Sequence, residues 1–312
     1  MTALLKPHAV PGDAPVAVVS PASTPQPERV ELGLAALRTL GYDPQPAENI
    51  LARGPLYFAG TPEMRLNDLH QAFTSDKVRA IFCTRGGYGA NYLLEGLDLD
   101  LIAENAKPLI GYSDLTALQL WMLDQIHLPA FYGPMLSADF ARPNQDGVHL
   151  ASLQAALGGK SYTVGTAEGL RPLRTGRVRG TLYGGCLSIL VAMLGTTYEP
   201  QTEGKLLFLE DVNAKPYQID RMLWQLREAG KLDRVRGVVF GEMLNCTSPG
   251  APPDLLDQVI LSAFKDFKGP IAIGLRSGHV SRQNVTLTLG VEAELLAQKE
   301  AQLHLIDPAV AK

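Results

Sequence analysis

The stretch Pro108-Leu109-Ile110-Gly111-Tyr112-Ser113-Asp114-Leu115 decides how the first half of this chain is read. A short apolar run ends in a small residue, a Ser follows, and the apolar spacing of residues 115–125 predicts a helix. Strand, tight bend and helix in that order are the repeating unit of a parallel sheet. The unit recurs on the N-terminal side. Pro15-Val16-Ala17-Val18-Val19-Ser20 reads as a buried strand closing in a Ser-Pro loop. Residues 28–40 follow as a helix, with Val30, Leu34, Leu37 and Leu40 on one face and Gly41 as its stop. Thr61-Pro62-Glu63 opens a further helix with a Thr cap and Pro at the first helical position. Residues 78–83 form another apolar run, closed by Arg85-Gly86-Gly87-Tyr88-Gly89. This rhythm predicts an α/β domain: a parallel sheet covered by helices on both faces.

Residues 139–179 are polar and glycine-rich, with one predicted helix over 148–157 and no strong strand run. They read as a connection, which divides the chain into an N-terminal domain (1–140), a connecting segment (141–179) and a C-terminal domain (180–312). In the last part, helices are expected over 187–194, 217–229 and 253–267, and strands over 205–209 and 235–240. Short extended runs at 285–289, 292–296 and 302–306 suggest an α+β domain with a small mixed sheet.

At 312 residues, 46% hydrophobic and 19% charged, the chain has the composition of a globular protein rather than a disordered one. Its 28 basic and 32 acidic residues leave a net charge of -4, which gives no basic face for nucleic acid. No apolar run reaches the roughly 20 residues of a membrane helix. Pro7, His8, Pro11 and Asp13 stand where an export signal would be apolar, so a cytoplasmic location is expected. Cys83, Cys186 and Cys246 are widely spaced and form no CxxC pair, the pattern of reduced, buried thiols.

The Gly111-Tyr112-Ser113-Asp114 bend has the layout of a nucleophile turn, although Leu115 departs from G-x-S-x-G. Taken alone, Ser113 or Asp114 fits a helix N-cap at least as well. Arg85-Gly86-Gly87-Tyr88-Gly89 suits an oxyanion hole or anion cradle, and equally a tight turn; it matches neither a phosphate-binding P-loop nor a dinucleotide fingerprint. Both turns fall at the carboxyl ends of predicted parallel strands, where such sheets bind ligands. A Ser nucleophile needs a base and a group to orient it. Of six histidines, His279 alone has a special setting, in the loop Arg276-Ser277-Gly278-His279. Leu206-Leu207-Phe208-Leu209-Glu210-Asp211 ends an apolar strand abruptly in two carboxylates, which serve a site or cap the next loop. The residues alone reach a hydrolase and leave its substrate open.

These segments, together with Tyr132-Gly133-Pro134-Met135, Gly184-Gly185-Cys186-Leu187-Ser188, Pro216-Tyr217-Gln218-Ile219-Asp220-Arg221 and Asn284-Val285-Thr286-Leu287, resemble the LD-carboxypeptidase family of serine peptidases, which includes the microcin-immunity peptidases. The resemblance spans nearly the whole chain. It implies an N-terminal sheet of the flavodoxin- or glutamine-amidotransferase-like kind. It also implies a triad of Ser113, His279 and Glu210, divided between the domains, and an oxyanion hole from the N–H groups of Gly87 and Asp114. The implied activity is cleavage of the amide before the terminal D-alanine of cytoplasmic murein tetrapeptides, in peptidoglycan recycling. No metal or organic cofactor is implied, and a homodimer is. Arg85 is the nearest candidate to bind the substrate's terminal carboxylate, the alternative being a structural ion pair. Cys186, Ala214, Gln218 and Thr288 depart from the family's pattern and bear on the substrate. A peptidyl-nucleotide substrate is the near alternative, which aromatic residues able to stack a base in the cleft would favour. A non-catalytic binding protein and a nucleotide-dependent oxidoreductase are the more distant ones.

Overall fold

A computed structural model describes residues 3–247 and 250–311. The first half runs β1 (Pro15–Val19), α1 (Pro27–Thr39), β2 (Asp43–Pro46), α2 (Pro62–Thr74), β3 (Ala80–Cys83), α3 (Leu99–Glu104), β4 (Leu109–Gly111), α4 (Thr116–Ile126) and β5 (Ala130–Tyr132). Then come α5 (Leu150–Leu157), β6 (Tyr162–Gly165), β7 (Arg171–Arg174), β8 (Gly176–Cys186), α6 (Leu187–Ala192) and β9 (Leu206–Glu210). The chain closes with α7 (Pro216–Glu228), β10 (Gly237–Gly241), α8 (Leu255–Ala263), β11 (Ile271–Leu275), β12 (Leu287–Leu289), β13 (Glu292–Ala297) and β14 (Ala301–Leu305).

Strands β1 to β5 form a parallel sheet in the order β5-β4-β3-β1-β2, and β12 adds antiparallel to β5 at its edge. Helix α1 packs on β2, α2 on β1 and α4 on β5. The central strands β3 and β4 are buried throughout, which is why they read as unbroken apolar runs.

The second sheet is mixed and has eight strands, in the order β6-β14-β13-β8-β9-β10-β11-β7. Its centre, β8 to β11, is parallel, and its flanks are antiparallel. Here the structure adds to the reading of residues 139–179, where no strong strand run was expected. Strands β6 and β7 lie there, at the two edges of the sheet. Their sequences, Tyr162-Thr163-Val164-Gly165 and Arg171-Pro172-Leu173-Arg174, are partly exposed and carry few apolar residues, so no periodic signal marks them. Pro172 is tolerated because β7 pairs on one side only. The three terminal runs also part company: β13 and β14 extend the second sheet, while β12 crosses to the first.

Where the sheets meet, backbone lies directly on side chains. A Cβ on Gly185 of β8 would stand 2.8 Å from Thr116 and 3.0 Å from Tyr132, so only glycine allows this approach. The carboxyl ends of both parallel sets therefore converge, the arrangement that makes a ligand cleft. Among the described residues no helix is long and apolar enough to cross a membrane.

A buried amide holds the ends of β4 and β5. Gln119 Nε2, on α4, donates to the carbonyls of Leu109 (3.3 Å), Gly111 (3.0 Å) and Phe131 (3.2 Å). Gln119→Leu keeps the volume and removes the donor, so we expect a loss of about 1–3 kcal/mol, the usual cost of unpairing buried groups. Urea denaturation checks this; an unchanged midpoint would contradict it.

Candidate active site

Ser113 lies two residues beyond the end of β4, and its backbone is left-handed, with φ of +66°. That conformation costs a non-glycine residue on the order of 1–3 kcal/mol and persists only where the surroundings impose it. The helix-cap alternative is not what the chain adopts. The N-cap of α4 is Leu115, without a side-chain cap. Asp114 turns inward, where its carboxylate accepts the Ala90 N–H at 2.7 Å. Burial raises the Asp114 carboxyl above the ordinary range, while the Ala90 hydrogen bond and Arg65 draw it back. The Ser113 side chain is left to face a cleft of 300 Å³.

The glycine turn comes up against this serine. A Cβ on Gly86 would sit 2.8 Å from Ser113 Cβ, 3.0 Å from its Oγ and 3.3 Å from the Asp114 amide nitrogen. Gly87 is next, exposed and with φ of +105°. Ser23 Oγ accepts the Tyr88 N–H at 3.0 Å and pins the loop. Gly87 and Asp114 thus belong to the two backbone segments that meet at Ser113 Oγ. Arg85 lines the same cleft, as does Arg29 of α1. Among the described residues Arg85 makes no ion pair. Arg29 is braced by the carbonyls of Ser137 (2.5 Å) and Ala138 (3.2 Å).

Glu210 and His279 come from the second sheet. Glu210 ends β9 with its side chain fully buried, and His279 follows β11 with a side chain 20% exposed. His279 Nδ1 lies 2.9 Å from Glu210 Oε2 and 3.1 Å from Oε1, and the His279 backbone N–H donates to Oε2 at 3.0 Å. A carboxylate only accepts, so Nδ1 carries the ring proton and Nε2 is the free base. Burial by itself would lower the His279 pKa. The charge and hydrogen bond of Glu210, helped by Asp211 and Asp139, outweigh it and hold the imidazole above its ordinary value. His279 and Ser113 line one cleft without a direct hydrogen bond among the described residues. Such contacts often tighten only around substrate.

The loop carrying His279 is clamped. Asn284 accepts the Gly278 N–H and donates to the Gly278 carbonyl, each at 3.0 Å. Arg142 donates to the carbonyls of Val280 and Ser281, each at 2.9 Å, and stands 3.7 Å from buried Asp139. Burial pushes the Asp139 carboxyl up to about 6.

Tyr132 joins the halves. Its hydroxyl donates to Glu210 Oε1 at 2.6 Å and accepts the Ser113 N–H at 3.2 Å. Burial, and then the charge of Glu210, raise its pKa well above 10, so the phenol keeps the proton it donates. Sequence reading placed Tyr132 only within a family-like segment, because a Tyr ending an apolar strand reads as core. Arg29 was missed altogether; its one signal was position, in the first helical turn after β1. A larger hollow of 460 Å³ between α7 and α8 has Asp220, Arg221 and Trp224 in its wall but no histidine. The smaller cleft is therefore the candidate site.

Known proteins bear on this arrangement. Residues 16–133 match the family model for the LD-carboxypeptidase N-terminal domain, and residues 179–295 that for the LD-carboxypeptidase C-terminal domain. A probable murein peptide carboxypeptidase of Bacillus subtilis is 36% identical over 304 residues, covering 96% of this chain and 94% of that protein. A murein tetrapeptide carboxypeptidase of Pseudomonas aeruginosa is 36% identical over 281 residues, covering 86% and 89%. The crystal structure of an MccF-like protein from Bacillus anthracis superposes with a TM-score of 0.87 at 25% identity, covering 96% and 99%. With both domain models matched in order and relatives alike over almost their full lengths, this chain belongs to the LD-carboxypeptidase family.

Proposed function

We propose that this chain is a serine carboxypeptidase that hydrolyses the amide between the L-centre of a diamino acid and the terminal D-alanine of murein tetrapeptides. Ser113 is the nucleophile, on an N-terminal unit of residues 1–140. Glu210 and His279 belong to a C-terminal unit of residues 180–312. The observation that carries the reading is a left-handed serine sharing one cleft with a histidine whose Nδ1 is 2.9 Å from a buried glutamate.

His279 Nε2 takes the Ser113 proton as Oγ attacks the scissile carbonyl, and Glu210 holds the ring and offsets its positive charge. The N–H groups of Gly87 and Asp114 bind the oxyanion, each donor worth about 2.7–4 kcal/mol in such sites. His279 then protonates the departing amine of D-alanine, and water releases the acyl group by the same steps in reverse. Arg85 and Arg29 bind the terminal carboxylate by charge-assisted hydrogen bonds. The same reading places the enzyme in cytoplasmic peptidoglycan recycling, as a homodimer.

Murein peptides are favoured over peptidyl-nucleotides by the lining of the cleft. Among the described residues there, Tyr112 is the one aromatic besides His279. It is 4% exposed and stands edge-on to His279, ring centroids 5.1 Å apart, so it offers no face to a base.

Incubation of wild type and Ser113→Ala with a murein tetrapeptide, followed by mass spectrometry, tests the assignment. We expect D-alanine from wild type alone. No release by wild type would refute the substrate, and equal release by both would refute the nucleophile.

Tyr132→Phe is expected to lower kcat about tenfold, the scale of one hydrogen bond to a charged group, with KM little changed. The base must be neutral, so activity falls as pH drops through the raised His279 pKa. Removing a donor from Glu210 strengthens its pull on the imidazolium, so the acid limb should move to higher pH. A pH–rate profile identical to wild type would assign Tyr132 a merely structural role.

A further inference from the structure

The proposed reaction makes no use of the thiol nearest to it. Cys186 ends β8, Glu210 ends the parallel neighbour β9, and the two are register partners, which sets their side chains side by side. Cys186 Sγ, a Glu210 oxygen and a ring nitrogen of His279 all lie within 4.8 Å of one another. Asp211 Oδ2 is 3.9 Å from the same sulfur. Cys186, Glu210 and Asp211 are each no more than 4% exposed. A soft sulfur, an imidazole and two carboxylates thus converge in a dry pocket. Thiol, imidazole and carboxylate are the donor types of zinc sites.

We propose that Cys186, Glu210 and His279 form an inhibitory site for a thiophilic divalent cation, best matched by Zn2+. The inhibition rests on the triad reading; the site itself does not. Zinc bonds of about 2.0–2.3 Å set neighbouring donors about 3.3–3.8 Å apart, so Cys186 Sγ must swing inward by a side-chain rotation while His279 Nδ1 and Glu210 Oε2, now 2.9 Å apart, open to admit the ion. The fourth position falls to water or to Asp211. On binding, the Cys186 thiol gives its proton to solvent and bonds as thiolate. His279 bonds through Nδ1, and the proton that Nδ1 carried passes to Nε2. One proton is released in all. The base is then lost, because an Nε2 that bears hydrogen cannot accept the Ser113 proton. Glu210, diverted to the metal, no longer orients the ring.

The test uses the whole protein and two readouts that need no peptide substrate. Cd2+ is the spectroscopic probe, since cadmium thiolates absorb in the ultraviolet. A fluorophosphonate, which phosphonylates an activated serine with loss of fluoride, reports Ser113 by the rate of labelling. In wild type we expect a thiolate band saturating at one Cd2+ per chain, labelling slowed at least tenfold by Zn2+, and full recovery with a chelator. Cys186→Ser and Cys186→Ala should label at the wild-type rate without metal, show no band, and need at least tenfold more Zn2+ for the same slowing. Cys246→Ser should behave as wild type. The site is overturned by absence of the band in wild type or its survival in both Cys186 variants. Equal slowing by Zn2+ with and without Cys186 overturns the inhibitory role. Failure of metal-free wild type to label would remove the triad and its inhibition together, while the Cd2+ band would still decide for the site.

Discussion

A carboxylate taken wholly out of water must be repaid by hydrogen bonds, and Glu210 is fully buried. Its partners are the Tyr132 hydroxyl from one sheet and the His279 backbone and ring from the loop after the other sheet's β11. Through Tyr132 the same carboxylate reaches the Ser113 amide. The requirement to satisfy one buried charge therefore fixes how two sheets meet and which groups meet with them. Breaking such a pair by removing one partner is usually far costlier than its net worth, so the junction is stiff. Groups proposed to react across separate sheets need that stiffness, because small misplacements are expensive in rate.

The same interaction sets the chemistry. Desolvation alone would leave His279 a weaker base than free imidazole; Glu210 reverses the sign. Around this pair the structure keeps Ser113 in a left-handed bend, closes Gly86 over it without a side chain, and leaves Arg29 and Arg85 on the cleft wall. The proposed peptidase action calls on these groups together, and none of them suffices singly. The nearby thiol adds a route by which a metal could silence the site by competing for Glu210 and His279.

What the sequence made legible was what burial writes as runs. Strands β1, β3, β4, β9 and β10 are buried nearly throughout and stood out as apolar stretches. Of the candidate residues, Glu210 stood out because it ends such a stretch in a carboxylate and Ser113 because it follows one at a tight bend, while His279 stood out only by its loop, Arg276-Ser277-Gly278-His279. Strand β11 went unread: Ile271-Ala272-Ile273-Gly274-Leu275 is short and broken by glycine. Edge strands β6 and β7 carry no alternation strong enough to see, and the destination of β12 depends on a non-local pairing. Tyr132 and Arg29 were hidden for a related reason. A phenol and a guanidinium acquire their roles only from groups placed opposite them by the tertiary fold, and local sequence carries no trace of that.

The central claim is that Glu210 governs the His279 base, and its most direct test is an NMR titration of the His279 imidazole in wild type and Glu210→Gln. The account predicts a wild-type pKa above the ordinary value of about 6.5, with the proton on Nδ1 in the neutral form, and a marked fall in the variant, where desolvation is opposed only by the smaller contributions of Asp211 and Asp139. A wild-type pKa at or below the ordinary value, or one unmoved by the substitution, would contradict it.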